Sequence, residues 1–343
     1  MKRLLNTLYV TTQGAYLSKE GDVVHVRVDN ETKLRIPIIT LGSIVCFGNV
    51  MCSPYLMGMC GKEGVAMAFL SEYGRFLCRV EGPTSGNVLL RRRQFRMADN
   101  LSERAKISRG VISAKISNCR NVLMRAVRDN PDPEYTEEIK NTCDHLARIL
   151  RGLEKTFDVD TIRGIEGDAA RIYFNVFDHL IISQKEEFRF NGRSRRPPMD
   201  RINALLSFLY TLVVHDIESA LEGVGLDPAV GFLHTDRPGR PGLALDLMEE
   251  FRPFLADRLA LSLINRKQIK AKGFKKSESG AVEMDDDTRK ELLLGYQKRK
   301  QQEITHPYLN EKVPVGLLPH VQAMLLARYI RGDLDGYPPF YKR

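Results

Sequence analysis

Apolar positions come in short, strand-like runs for the first eighty residues and then change period. Between Leu8 and about Val80 the runs are Ala15–Ser18, a Glu-Gly-Asp turn, Val23–Val28 with polar residues at every second place, and a further turn at Asp29-Asn-Glu31, which predicts two opening hairpins. Ile44–Phe47 and Val65–Leu70 are continuous apolar runs and predict buried strands. Ser53 caps a short helix through Cys60 between them, and Phe76–Val80 follows as another strand. After the turn-rich Glu81–Gly86 the strand pattern stops.

Helical spacing then takes over. It predicts helices from Asn87 to about Arg128, Glu134 to Thr156, about Asp160 to Ile181, Met199 to Val214, Leu243 to about Lys270, Thr288 to about Glu303, and Val315 to Gly332. Lys270–Asp287 is rich in Gly, Lys, Ser and acids and reads as a mobile loop; Tyr337–Tyr341 reads as an extended tail that either packs or stays loose. The expected fold is α+β, a small N-terminal mostly-β domain (residues 1–82), a linker (83–88) and a larger all-α C-terminal domain (89–343) that carries the chemistry.

The chemistry centres on His234–Pro253. Two prolines and two glycines keep residues 234–242 out of a helix, so a loop delivers the His234 imidazole beside a helix bearing Asp246, Glu249 and Glu250. At about 100° per residue, Glu249 and Glu250 fall roughly 60° and 40° on either side of Asp246, opposite Leu247, Met248 and Phe251. A solvated acidic face would show the same pattern. A second acid, Glu166, lies inside a helix close to Gly164 and Gly167. Each glycine costs about 1 kcal/mol there, which points either to close helix packing or to room kept for a metal or a phosphate. Asn203, in an almost wholly apolar helix, must be hydrogen-bonded, and His179 and His215 read as satisfied core or rim histidines.

With 43% hydrophobic and 28% charged residues in 343, the composition is globular. Six cysteines without a Cys-x-x-Cys pair exclude a zinc knuckle and a redox dithiol and suit buried free thiols in a reducing cytoplasm. The N-terminus lacks a signal-peptide pattern and no membrane span is expected, so the protein reads as soluble and cytoplasmic. The net charge of +9 suits a polyanion, and the basic knots Arg91–Arg93, Arg193–Arg196, Lys267–Lys276 and Lys298–Lys300 sharpen that reading toward phosphate contact. Arg193, Arg195, Arg196, Lys267, Lys270 and Lys272 are the first candidates to touch nucleic acid, since they border the acidic helix in sequence.

Should Glu166, His234, Asp246 and Glu249 converge, one imidazole and several carboxylates make an oxygen-rich site for Mg²⁺ or Mn²⁺ rather than for structural zinc. Such an ion polarises a phosphodiester and activates water or a sugar hydroxyl. No Ser-His-Asp, Cys-His or Walker-type pattern competes. Gly164–Ala170, Asp200–Leu206, Gly231–His234 and Leu245–Pro253 together closely resemble the CRISPR-associated spacer-acquisition endonuclease, the integrase subunit of CRISPR adaptation, most like its type I-C branch. The resemblance spans essentially the whole chain. It implies a metal-dependent DNase and integrase, with Glu166, His234 and Glu249 as ligands and Asp246 as a further active-site carboxylate. The family often has aspartate where Glu249 stands, and Glu250 is the alternative ligand. It also implies double-stranded DNA as substrate, a homodimer formed through the β domain, and a small ferredoxin-like companion protein joining two dimers into a heterohexamer. A non-catalytic DNA-binding scaffold and a phosphodiesterase acting on RNA or branched DNA stand as rival readings.

Overall fold

The computed structural model describes residues 6–82, 88–131 and 133–342. The N-terminal part contains β1 (Asn6–Val10), β2 (Tyr16–Glu20), β3 (Val23–Val28), β4 (Glu31–Pro37), β5 (Leu41–Phe47), β6 (Met51–Cys52), α1 (Pro54–Glu63), β7 (Ala66–Leu70) and β8 (Phe76–Val80). The expected hairpins are the antiparallel meander β2–β3–β4. Asp29 and Asn30 close its second turn at φ 51° and 64°, the left-handed pair that a tight hairpin needs and that these two residue types tolerate. β6 completes one sheet in the order β4-β3-β2-β6, and the second runs β1-β5-β7-β8 with its first three strands parallel. Ser53 caps α1, its Oγ accepting from Leu56 N at 3.2 Å.

β5 and β7 serve two cores, which is why their apolar runs do not alternate. Ile44, Cys46 and Met67 face the β domain, while Val45, Phe47, Ala68 and Leu70 pack into the helical core. Phe47 stacks on Phe208 with centroids 5.6 Å apart, and Arg79 on β8 pairs with Glu218 and Glu222 at 3.1 and 2.7 Å. Residues 83–87 of the expected linker lie outside the described residues; Val88, its last residue, opens a helix.

The helical part contains α2 (Val88–Asp99), α3 (Leu101–Asp129), α4 (Pro133–Leu153), α5 (Val159–Asn175), α6 (Arg201–Gly223), α7 (Gly242–Phe251), α8 (Arg258–Asn265), β9 (Phe274–Lys276), β10 (Val282–Met284), α9 (Asp286–Gln301), β11 (Glu303–Thr305), β12 (Lys312–Pro314) and α10 (Leu318–Arg331). The helix expected from Asn87 to Arg128 is two helices. Asn100 breaks it, its side chain accepting from Ser102 N and Glu103 N at 3.0 and 3.1 Å as an N-cap. α3 is the spine against which α4, α5 and α7 pack.

Three expectations are corrected. Lys270–Asp287 holds the β9–β10 hairpin, whose Phe274, Val282 and Met284 are buried; strands of three residues are too short to show a period. α6 is long and apolar enough to cross a membrane by length and composition, contrary to the expectation that no such stretch exists, because it is the central core helix. Cys78 is exposed on edge strand β8, although all six cysteines are unpaired as expected. The C-terminal tail packs within the chain, with Phe340 fully buried and stacked on Phe251 at 5.5 Å.

Candidate active site

Two glycines build the turn that delivers His234. A Cβ on Gly231 would stand 2.7 Å from Gly242 C and 3.0 Å from Asp246 Oδ2, and one on Gly242 would meet Gly231 N at 3.0 Å, so only glycine lets these backbones touch. Their contact seats the 232–234 loop over the first turns of α7. Asp246 Oδ2 accepts from Phe232 N and Leu233 N at 2.6 and 3.0 Å, and Oδ1 accepts from His234 N at 2.9 Å and from His234 Nδ1 at 2.7 Å. A carboxylate offers only acceptors, so the imidazole proton sits on Nδ1 and the Nε2 lone pair is left free. Arg104 of α3 and Arg163 of α5 brace the loop, donating to Phe232 O at 3.0 Å and to Leu233 O at 2.9 Å.

One turn along α7, Glu249 is 2% exposed and held by two cations. Arg252 Nη1 lies 2.9 Å from its Oε1 and Lys115 Nζ 2.7 Å from its Oε2; the second approach is an ion pair outside hydrogen-bond angles. Lys115 also bonds Glu166 of α5. Burial pushes the Glu249 carboxyl up, but Arg252 and Lys115 outweigh it and hold it well below the usual range. Burial pulls the Lys115 ammonium down, and Glu249 and Glu166 reverse that and keep it charged. Pro253 lacks the amide an α-helix would use, and from Arg252 to Asp257 the helix widens into a π-turn.

The three acids of this segment therefore serve three separate sets of partners, and all are buried rather than solvated. Glu250 turns away from the site. It accepts from Tyr337 Oη at 2.8 Å, Phe340 N at 2.7 Å and Gln322 Nε2 at 3.1 Å, and burial pushes its carboxyl up to about 7. It anchors the tail, which leaves Glu249 as the carboxylate facing Glu166.

Among the described residues no group of three or more His, Cys, Asp or Glu side chains is gathered closely enough to hold a metal ion. The structure brings Glu166 and Glu249 together through Lys115 and ties His234 to Asp246. Asp246 has no oxygen to spare, so it orients the imidazole rather than acting as a free carboxylate. Two carboxylates and an imidazole presenting Nε2 fit a hard divalent cation in kind. Glu166 and His234 side chains are 21% and 19% exposed, so the site opens on their side. The glycines beside Glu166 are exposed, and a Cβ on either would meet nothing within 4 Å. Neither helix packing nor a close backbone approach within the chain explains them; they leave open space beside the acid.

The basic candidates divide. Arg193 is turned inward: its Nη1 donates to Asn203 Oδ1 at 2.6 Å, its Nη2 to Ser207 Oγ at 3.2 Å, and its guanidinium lies over the Tyr210 ring, 5.2 Å from the centroid. Asn203 is thus bonded as expected, pinning the loop and the start of α6. Arg195, Arg196, Lys267, Lys270 and Lys272 are exposed. Of the other knots, Lys300 is buried against Asp216 at 2.8 Å. His179 pairs with Glu138 and His215 with Glu218, which keeps both out of the site.

Lys115 and Arg252 are the site residues that sequence reasoning missed. The signal for Lys115 is a charge on a helical stripe otherwise made of Ile112, Ile116 and Cys119. Arg252 lies within the acidic motif, three residues after Glu249, at the spacing of an ordinary ion pair on a helix surface.

Residues 8–298 match the profile of the CRISPR associated protein Cas1 family. The chain belongs to the Cas1 family. A Chlorobaculum tepidum relative named CRISPR-associated endonuclease Cas1 1 is 60% identical over 343 residues, covering 100% of both chains. Among solved structures, a Cas1 protein from Thermotoga maritima has a TM-score of 0.81 at 24% identity, covering 96% of this chain and 97% of its own. A casposase bound to integration product has a TM-score of 0.84 at 21% identity, covering 98% and 95%. Both share the β-then-helical architecture.

Proposed function

We propose that the chain is a divalent-metal-dependent DNA endonuclease and integrase that inserts short DNA segments into a CRISPR array. The observation that carries this reading is that α7 holds Asp246, which orients the His234 imidazole, one turn before Glu249, which Lys115 ties to Glu166. Glu166, Glu249 and His234 would hold Mg²⁺ or Mn²⁺, which supplies Lewis-acid polarisation of a phosphodiester. Asp246 fixes the tautomer and Arg252 fixes Glu249. The open space beside Gly164 and Gly167 admits a phosphate backbone next to Glu166. A DNA 3′-hydroxyl would give up its proton and attack a repeat-border phosphodiester in joining, displacing the repeat strand's own 3′-oxygen, which leaves as a new hydroxyl; water replaces the attacking hydroxyl in hydrolysis. The name of the Chlorobaculum relative and the casposase held on its integration product support nuclease and integration chemistry.

The same reading assigns Arg195, Arg196, Lys267, Lys270 and Lys272 to double-stranded DNA, with Arg193 as their support. It takes the exposed Ile39, Met51, Tyr55 and Leu77 of the β domain as dimer surface. A small ferredoxin-like companion joining two dimers, a place in the type I-C branch and action in the cytoplasm belong to it as well.

The test is strand transfer of a labelled short duplex with free 3′-hydroxyls into a supercoiled plasmid carrying a CRISPR repeat, in Mg²⁺, Mn²⁺ or EDTA, with and without the companion. Metal-dependent joining at the repeat border is expected, and Glu166→Ala and His234→Ala should abolish joining and nicking while remaining folded. Normal joining by either variant would refute the site; DNA binding with neither reaction would favour a scaffold.

A further inference from the structure

A buried ammonium stands between the two candidate ligand carboxylates: the Lys115 side chain is 7% exposed, and its Nζ touches both Glu166 and Glu249. We propose that Lys115 is a resident counter-ion of this site, holding Glu166 and Glu249 at one point and competing with a divalent cation for them. It thereby sets how tightly the cation binds. The inference rests on the metal-site reading given above.

The charges argue for competition. Glu166 and Glu249 carry two negative charges, and Lys115 and Arg252 two positive ones, so these four side chains balance as they stand, with Asp246 spent on the 232–234 loop. A divalent ion among the same carboxylates adds two like charges beside both cations, where repulsion is strong because water screens little. One cation must give way. Arg252 is fixed, its guanidinium 5.0 Å from the Tyr210 ring centroid and ion-paired with Glu249 Oε1 at 2.9 Å. Lys115 is a compact charge on a four-carbon stem with freely rotating bonds, and it can step off the pair without moving α3. Its hold on the pair also keeps the two carboxylates from repelling one another before the ion arrives.

A purely structural lysine and a competing one predict opposite signs. Removing a support loosens the ligand set and weakens metal binding; removing a competitor tightens it. The full-length protein and its Lys115→Met variant, both stripped with EDTA and dialysed, are titrated with Mn²⁺ by calorimetry and by electron paramagnetic resonance of the free ion. Thermal unfolding is followed with and without Mn²⁺. The variant is expected to bind Mn²⁺ about tenfold more tightly or better, since that factor needs only about 1.4 kcal/mol. Without metal it should melt lower than wild type, and its rise in Tm on adding Mn²⁺ should be larger.

Equal or weaker Mn²⁺ binding by the folded variant would overturn the proposal while leaving the metal site intact. Absence of Mn²⁺ binding by wild type as well would overturn the metal-site reading and this inference with it. Should Lys115→Met fail to fold, Lys115→Gln keeps a polar amide on the same side of α3 without the charge, and the same tightening is required of it.

Discussion

Replacing Asp246 by Asn changes one atom and should invert the chemistry of His234. The carboxylate accepts four hydrogen bonds, two on each oxygen: Phe232 N and Leu233 N on Oδ2, His234 N and His234 Nδ1 on Oδ1. An amide must put its NH₂ at one of those positions. At the Oδ2 position it faces two backbone donors and orphans both, at about 1–3 kcal/mol each. At the Oδ1 position it orphans only His234 N, because the imidazole can move its proton to Nε2 and accept on Nδ1. The second arrangement is better by one orphaned donor, roughly 1–3 kcal/mol, a preference of about five- to 150-fold. That arrangement blocks Nε2.

The variant should therefore fold with a stability loss of about 2–4 kcal/mol, one orphaned amide plus weakened hydrogen bonds to a formerly charged acceptor. Guanidinium unfolding measures that loss. Mn²⁺ affinity should fall about 10–100-fold, as for other losses of an orienting partner. Nitrogen NMR of histidine-labelled protein reads the tautomer directly, with His234→Gln assigning the resonance. A variant that keeps its proton on Nδ1, or binds Mn²⁺ as wild type does, would refute the claim that Asp246 works by orienting the imidazole.

Burial pushes the Asp257 carboxyl from its ordinary 3.8 up to about 6 against the pull of Tyr210, Arg193 and Arg252, a shift of about 2 units or roughly 3 kcal/mol. Because the folded value is the higher one, this stability is complete below about pH 4 and is lost as pH rises through 6. The stability difference between wild type and Asp257→Asn, followed by guanidinium unfolding from about pH 4 to 7.5, should shift by up to that amount in favour of the variant; a flat difference would refute it. Arg195→Glu with Arg196→Glu should weaken DNA binding and flatten its salt dependence by about one unit of slope for each phosphate no longer neutralised. Arg193→Ala should instead cost about 1–3 kcal/mol in unfolding, for two hydrogen bonds and a cation over a ring; an unchanged slope in the first, or unchanged stability in the second, counts against the division drawn between them.

The β-then-helical order was legible because it rests on period, and period survives in a sequence wherever an element has one dry face. The misses fall where that condition fails. β9 and β10 are three residues each, too short to alternate twice, and the polar composition around them reads as a loop. α6 is dry on most sides, but its expected end at Val214 falls short of the observed end at Gly223, and with the length its likeness to a membrane span was missed. Asn100 interrupts a helix whose apolar stripe continues on both sides, and only its cap bonds reveal the break.

The site divides on a different line. His234, Asp246 and Glu249 could be singled out because loop and helix adjacency in sequence nearly fixes adjacency in space, and the Gly231–Gly242 approach completes it. What sequence left open was direction. Helical projection puts Glu249 and Glu250 about 100° apart, close enough to treat both as one acidic face; in the fold that angle is the difference between Lys115 and the Phe340 tail. Lys115 was invisible for a related reason. Its place on a buried stripe marks it as paired, but its partners lie 51 residues away on α5 and beyond, and a search for ligands among acids and imidazoles passes over cations. A buried lysine on an apolar stripe is as strong a pointer to paired carboxylates as the carboxylates themselves, because its charge needs them there.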